Sequence, residues 1–248
     1  SKHRMEDEMT SYDMFPDPLI QELIEETEQR LAHAVKLAWI TPNAEDVLLY
    51  IAKVSNPAKQ SEPAPHLLRY LIEHDHWSPF EMINICFEVN TTRDIGRQFL
   101  RHWTMRAQEF SQRYQDVSVL GGPIYREARM QHPTNRQASL PCDDPALEAW
   151  WYNEQMAVWN RAKLAYDQAL EKGIAKEVAR VVQPEGMTPS RLYFNAPLRT
   201  ALFVTHIRSK EHGAQDEAVR VADGLRALLA EHMPATVEAF TAWREAHS

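Results

Sequence analysis

Apolar and polar positions alternate most clearly along Ile83-Asn-Ile85-Cys86-Phe87-Glu-Val89-Asn-Thr91. Its β-branched and aromatic content predicts a strand. A weaker alternation over Val35-Lys-Leu37-Ala-Trp39-Ile40 predicts another strand, closed by Thr41-Pro42. Helical spacing governs the neighbouring segments. Asp17-Pro18 followed by Leu19, Ile20, Leu23 and Ile24 predicts an N-capped helix running to about Ala32. Val47, Leu48, Tyr50 and Ile51 predict a helix over 43–53, and Leu67, Leu68, Leu71 and Ile72 one over 66–74 that ends in a polar turn over 74–81.

From Thr92 the wheel of a helix, at about 100° per residue, collects Ile95, Gly96, Phe99, Leu100 and Trp103 on one arc. Asp94, Arg97, Gln98 and Arg101 fall opposite, with His102 at the seam. The helical pattern fades after Met105. An extended chain from there would send Glu109, Ser111 and Arg113 to one side. A long helix follows over 143–170, with Trp150, Trp151, Met156, Trp159 and Leu164 expected as packing residues. Gly173 breaks the pattern before a helix carrying Ala179-Arg180, and Val219, Ala222, Leu225 and Leu228 define an amphipathic helix near the end. This succession predicts an α/β fold, α+β in stricter usage, with a modest sheet flanked by long helices.

Composition narrows the function. The 248 residues are 44% hydrophobic with a net charge of −8, which suits one substantial core and gives no broad positive field for a nucleic acid or an anionic membrane. No run of about 18 apolar residues and no apolar leader is present, so no membrane span or secretion signal is expected. Cys86 and Cys142 stand in unrelated contexts; a reducing, cytoplasmic setting is expected. His74 and His76 lack a matching ligand pair at zinc-site spacing, so no metal is expected.

Against that acidic background, residues 97–114 concentrate cationic donors: Arg97, Arg101, Arg106 and Arg113, with His102, Gln98, Gln108, Glu109 and Ser111. Guanidinium forks suit phosphate oxygens, a serine hydroxyl donates to the same group, and amides read the edge of a base. A phosphorylated nucleoside is the expected ligand.

Ser55-Asn56-Pro57, His76-Trp77-Ser78-Pro79-Phe80-Glu81, Arg97-Gln98-Phe-Leu-Arg101-His102 and Gln108-Glu109-Phe110-Ser111-Gln112-Arg113-Tyr114 resemble the flavin-dependent thymidylate synthases. That family's signature runs Arg-His-Arg, seven residues, Ser; here Arg101-His102-Trp103 is followed by seven residues and Ser111. The resemblance extends through Arg126-Glu127-Ala128-Arg129, Asn135-Arg136-Gln137, Val181 to Thr188, Leu192 to Arg199 and Gly213-Ala214-Gln215, over roughly residues 35–240.

The resemblance implies the family fold for a catalytic domain over 35–248, after an N-terminal extension over 1–34 that carries a helix. It implies methylation of dUMP at C5 to dTMP, using FAD, NADPH and methylenetetrahydrofolate, in a homotetramer whose active sites draw on several subunits. Gln98, Arg101, Glu109, Ser111, Gln112, Arg113, Arg180 and Arg208 would hold the nucleotide. Ser55, His76, Ser78, Glu81, Arg101, His102, Trp103, Gln108, Glu109, Asn195 and Arg199 would lie near the flavin, its phosphates or the folate path. Arg208 would act catalytically by drawing negative charge onto the uracil carbonyls, and Ser111 is the second catalytic candidate. No adjacent general base suits Ser111 as a nucleophile, so a hydrogen-bond donor is the preferred role.

The sequence departs from the family at Trp103, where an indole replaces a guanidinium; Arg106 is the candidate to compensate. Phe203, Ala201 and Gln183 also differ on the cofactor side. These departures leave open methylation of UMP, hydroxymethylation of a uracil nucleotide, or a non-catalytic nucleotide-binding role.

Overall fold

A computed structural model describes residues 33–246; the helix expected over 17–32 lies outside them. Strand β1 (Ala34–Ile40) leads into α1 (Ala44–Ala52) and α2 (Leu67–Glu73), and β2 (Asn84–Thr92) runs directly into α3 (Arg93–Leu100). Strand β3 (Arg106–Glu109) is followed by a small hairpin of β4 (Arg129–Gln131) and β5 (Ser139–Pro141). Helix α4 (Pro145–Glu171) and the single-turn α5 (Lys176–Ala179) precede β6 (Pro189–Pro197). The chain ends in α6 (Leu198–Ile207), α7 (Asp216–His232) and α8 (Pro234–Ala246).

The main sheet has the order β1-β2-β6-β3, with antiparallel neighbours throughout. Period-two alternation divides its faces. Ile85, Phe87 and Val89 of β2 and Leu192, Phe194 and Ala196 of β6 are fully buried on the face covered by α3, α6 and α7. Glu88, Asn90, Arg191 and Tyr193 occupy the other. There Tyr193 donates to Glu88 at 2.5 Å, Asn90 to Glu88 at 2.7 Å and Arg191 to Asn90 at 2.8 Å. The strands expected from alternation are therefore present, and β1 carries a bulge between Leu37 and Trp39.

The turn over 74–81, expected to be polar, supplies two core residues: Trp77 and Phe80 are buried. Trp77, Phe203, Phe240 and Trp243 form an aromatic cluster that joins α6 to α8. Phe203 is thus part of this packing. Within the same turn, His74 shares a hydrogen bond with the Tyr70 carbonyl at 2.9 Å, which caps the end of α2. The buried stripe of α7 runs through Ala218, Val221, Ala222, Leu225 and Leu229, so the expected Val219 and Leu228 sit at its margin.

Helix α4 is capped by Asp144, whose carboxylate accepts from the Ala146 and Leu147 amides, with Pro145 in the first turn. Its 27 residues bury only Gln155 and Tyr166. The expectation of packing residues fails within the protomer for four of the five: Trp150 is 55% exposed, Trp151, Met156 and Leu164 are exposed as well, and Trp159 is half-buried. A helical period shows that a face is apolar without saying which chain covers it.

One ionic network lies under α7. Glu217, 3% exposed, accepts from Arg129 at 2.7 Å, and Arg126 bridges to Asp94 at 2.6 Å. Burial opposes Glu217's ionisation, but the hydrogen bond from Arg129 and the nearby charges outweigh it and hold its carboxyl below the usual range. Beside this network His33 is buried and shares a 2.8 Å hydrogen bond with Thr91. Burial pulls its pKa down to about 4. The folded value lies below the unfolded one, so the unfolded chain binds the extra proton first. His33 therefore leaves stability intact above about pH 6.5 and removes up to ~3 kcal/mol as pH falls toward 4. Urea unfolding from pH 7 to 4 is expected to show a flatter loss of stability in His33→Asn than in the wild type; parallel curves would contradict this.

Candidate functional site

Helix α3 is short and sits close to the sheet because of Gly96. A Cβ at that position would lie 2.9 Å from Leu192 Cδ1. Ile95, Gly96 and Phe99 face the core, and Gln98 and Arg101 turn away from it. The helix ends at Leu100, earlier than the wheel suggested. Leu100 is exposed and Trp103 is 80% exposed, so neither belongs to the core arc.

Arg208, just past α6, reaches this end of α3. Its Nη2 donates to the Gln98 carbonyl at 2.8 Å, its Nη1 to Gln98 Oε1 at 3.4 Å and its Nε to His102 Nε2 at 3.2 Å. His102 must be neutral to accept there, with its remaining proton on Nδ1. Burial, then the Arg208 charge, lowers its pKa to about 4, consistent with that state. Arg208 is held entirely by neutral acceptors in these contacts. Burial lowers its pKa, and repulsion from exposed Arg101 lowers it further. Two guanidiniums thus stand close together, and no carboxylate among the described residues forms an ion pair with Arg208. Such a pair stabilises an incoming anion.

The expected extended face of Glu109, Ser111 and Arg113 does not form. Strand β3 ends at Glu109, and Ser111 then anchors a turn through its carbonyl, which accepts from the Tyr114 and Gln115 amides. Within β3, Gln108 opposes Tyr193 on the open face and Glu109 opposes Leu192 on the helix-covered face. Glu109 there pairs with Arg93 at 3.3 Å and accepts from Ser190 at 2.9 Å. Gln112 is buried and donates to Gln183 at 2.8 Å, so it links two loops. Gln183 thereby has a role that its departure from the family pattern did not reveal. Arg113 pairs with Glu177 at 3.2 Å, three residues before Arg180, which begins the 3-10 turn after α5. Ser111 Oγ accepts from the Arg113 amide at 3.4 Å, and no described contact gives it a base.

The residues expected near a cofactor divide into groups. Ser55, His76 and Ser78 are exposed around α1 and the 3-10 turn Ser78–Met82. Arg199, at the start of α6, pairs with Glu81 at 3.1 Å, and next to it Thr200 donates to Thr104 at 2.9 Å. Asn195 opposes Arg106 on the open sheet face, one row from Gln108. Arg106 donates to the Trp103 carbonyl at 3.2 Å, so its guanidinium buttresses the loop beneath the exposed indole. Arg199 and Arg208 lie at opposite ends of α6, about 13 Å apart along the axis. One protomer therefore brings Gln98, His102 and Arg208 together with Arg101 alongside, and sets the remaining candidates around them in separate groups.

Sequence reasoning missed Glu177, the Thr104–Thr200 contact and the contact of Gln98 with Gln215. Gln98 and Gln215 each stood within a quoted motif, but they lie 117 residues apart in sequence, so no spacing linked them. Neither cysteine shares this site within the protomer. Cys86 faces the open side of the sheet, opposite Asn195, where burial raises its thiol's pKa. Cys142 precedes α4 and contacts the Asp144 carbonyl.

The sequence profile of the thymidylate synthase complementing protein family matches residues 20–235. A probable flavin-dependent thymidylate synthase from Paramecium bursaria Chlorella virus 1 is 38% identical over 198 residues, covering 79% of this chain and 90% of that protein. A flavin-dependent thymidylate synthase from a Synechocystis species is 37% identical over 199 residues, covering 80% and 90%. The crystal structure of the UMP/dUMP methylase PolB from Streptomyces cacaoi, bound with 5-Br dUMP, superposes with a TM-score of 0.72 at 26% identity, over 85% of this chain and 95% of that one. With the mixed α/β fold and the Arg101-His102…Ser111 stretch in place, these matches make the chain a member of the flavin-dependent thymidylate synthase family.

Proposed function

We propose that residues 35–248 form a catalytic domain that methylates dUMP at C5 to give dTMP, taking the one-carbon unit from methylenetetrahydrofolate and reducing equivalents from NADPH. The observation that carries this reading is Arg208, held by neutral His102 and Gln98 beside Arg101. C5 of a neutral uracil is a weak nucleophile. A fixed cation at N3 and the ring carbonyls favours negative charge on the ring, which raises the electron density at C5 before it attacks, with little reorganisation.

The donor set fits FAD: the guanidiniums of Arg101 and Arg199 suit its phosphates, and Asn195 and Gln108 offer polar edges. When bound, the flavin supplies reducing equivalents and carries the one-carbon unit. Arg101, His102, Asn195, Arg199, Gln108, Ser78, His76, Ser55 and Glu81 would hold it. Arg113 and Arg180 would take the nucleotide phosphate, with Ser111 as an added donor. Arg113 exchanges its contact with Glu177 for the phosphate. Activity on UMP is the second reading, favoured by the likeness in fold to the Streptomyces protein, a methylase of UMP as well as dUMP.

Self-association is read from α4, whose exposed Trp150, Trp151, Met156 and Leu164 leave apolar surface around much of the helix for a second copy to cover. A homotetramer also accounts for the separated groups of candidate residues, since partners would complete each site. The reading retains the cytoplasmic setting, which rests on the sparse, unpaired Cys86 and Cys142. Among the described residues no helix is long and apolar enough to cross a membrane.

Purified protein is expected to carry a flavin spectrum and to convert dUMP to dTMP, identified by mass, when given methylenetetrahydrofolate and NADPH; failure with both dUMP and UMP would overturn the activity. Arg208→Ala is expected to lower kcat by about 10²- to 10³-fold. Arg113→Ala should weaken dUMP binding about tenfold or more while leaving deoxyuridine binding unchanged; equal losses for both ligands would remove Arg113 from the phosphate. Light scattering should return the mass of four chains, and a monomeric mass would refute the assembly.

A further inference from the structure

Gln98 has protein partners at both ends of its amide. Its Oε1 accepts from Arg208, and its Nε2 donates to Gln215 Oε1 at 2.9 Å. A carboxamide has nearly the same shape in its two orientations but exchanges donor for acceptor when it turns over. A guanidinium only donates. If the Gln98 amide were reversed, its NH2 would face the Arg208 guanidinium, donor against donor, and the contact through Oε1 would be lost. The orientation that serves Arg208 is the one in which Nε2 points at an acceptor, and Gln215 supplies that acceptor.

Gln215 is itself firmly mounted. It precedes α7 in an extended conformation, and its carbonyl accepts from the Val219 amide at 3.0 Å as part of the helix's first turn. The segment from Arg208 to Gln215 closes through the 3-10 turn Lys210–His212 and Gly213 at φ 69°, with the Ser209 carbonyl accepting from the His212 and Ala214 amides. Two residues into α7, buried Glu217 ties the helix to Arg129. The acceptor thus stands on a helix end fixed by packing and charge, seven residues along the chain from the guanidinium that it serves.

We infer that Gln215 is a positioning residue for Arg208: by accepting from Gln98 Nε2 it fixes the amide orientation that holds the guanidinium toward the nucleotide. Gln215 acts through Gln98 and touches no reacting atom. This inference rests on the assignment of Arg208 to the uracil nucleotide.

The test measures kcat and KM for dUMP, with flavin content and melting temperature alongside, in the full chain. Gln215→Met, which keeps the length and removes the acceptor, is expected to lower kcat about tenfold, in line with the loss of one hydrogen-bonded contact to a charged group, with flavin content and melting temperature near wild type. Gln215→Glu, which keeps an acceptor, is expected to recover most of that turnover. Adding Gln215→Met to Gln98→Met is expected to cause no further loss, because the two act in one chain of contacts. Losses that multiply in the double variant, or a Gln215→Met enzyme that matches wild type, would overturn the inference. If Gln215→Met does not fold, Gln215→Ser, which shortens the polar side chain out of reach, takes its place in the same comparison. Arg208→Ala serves as the control: normal turnover and nucleotide affinity there would sink the underlying assignment, whereas a crippled Arg208→Ala beside a normal Gln215→Met would sink the role of Gln215 alone.

Discussion

Nine successive residues of β2, Asn84 to Thr92, face nine of β6, from Pro197 back to Pro189, without a bulge. Each strand passes directly into a helix, β2 into α3 and β6 into α6, and both helices fold back over the same apolar face. Because the strands are antiparallel, the helices start from opposite ends of the sheet and travel toward each other. At 1.5 Å per residue they cover about 12 and 15 Å, close to the roughly 30 Å of a nine-residue strand. Their C-terminal ends therefore converge near mid-sheet, which is where Arg208 meets Gln98 and His102. A one-residue slip in this pairing would put Phe87 and Phe194 on opposite faces and shift the helix ends apart.

That pairing was readable in part. The alternation over 83–91 matches β2 nearly residue for residue, and the cationic set over 97–114 contains Arg101 and His102, which the structure places beside Arg208. Trp103 was not readable, because a helical wheel extends a helix beyond the point where its backbone stops. The same limit applies to Glu109, Ser111 and Arg113: period two holds only while the strand lasts, and β3 ends at Glu109. Trp77 and Phe80 were hidden in a short turn among polar neighbours, a segment too brief to show a period. Trp150 and Trp151, expected as packing residues, are exposed in the protomer, because residue type alone does not say whether a helix side is covered.

Long-range polar pairings formed the other illegible part. Gln98 with Gln215, Gln112 with Gln183, and Glu109 with Ser190 each join segments far apart in sequence, and no local spacing encodes them. They lie at the margins of the site, where a half-buried amide or carboxylate needs a partner. Resemblance to a family named candidate residues such as Gln98, His102 and Arg208, which the structure brings together. It was less informative about residues that hold those residues in place.

The contrast between Arg208 and Arg113 has a further consequence. Arg113 rests against Glu177, so an anion arriving there must displace an internal counter-ion and competes with one negative charge for another. Arg208 rests against a backbone carbonyl, an amide and a neutral imidazole, and its charge lies at a helix C-terminus, whose dipole favours a cation. No carboxylate among the described residues has to leave when a ligand approaches it. Added salt, which weakens both the half-exposed Arg113–Glu177 pair and any phosphate that replaces it, acts on an exchange at one arginine and on a direct attraction at the other. Arg113 and Arg208 are thus cations of equal formal charge and unequal availability.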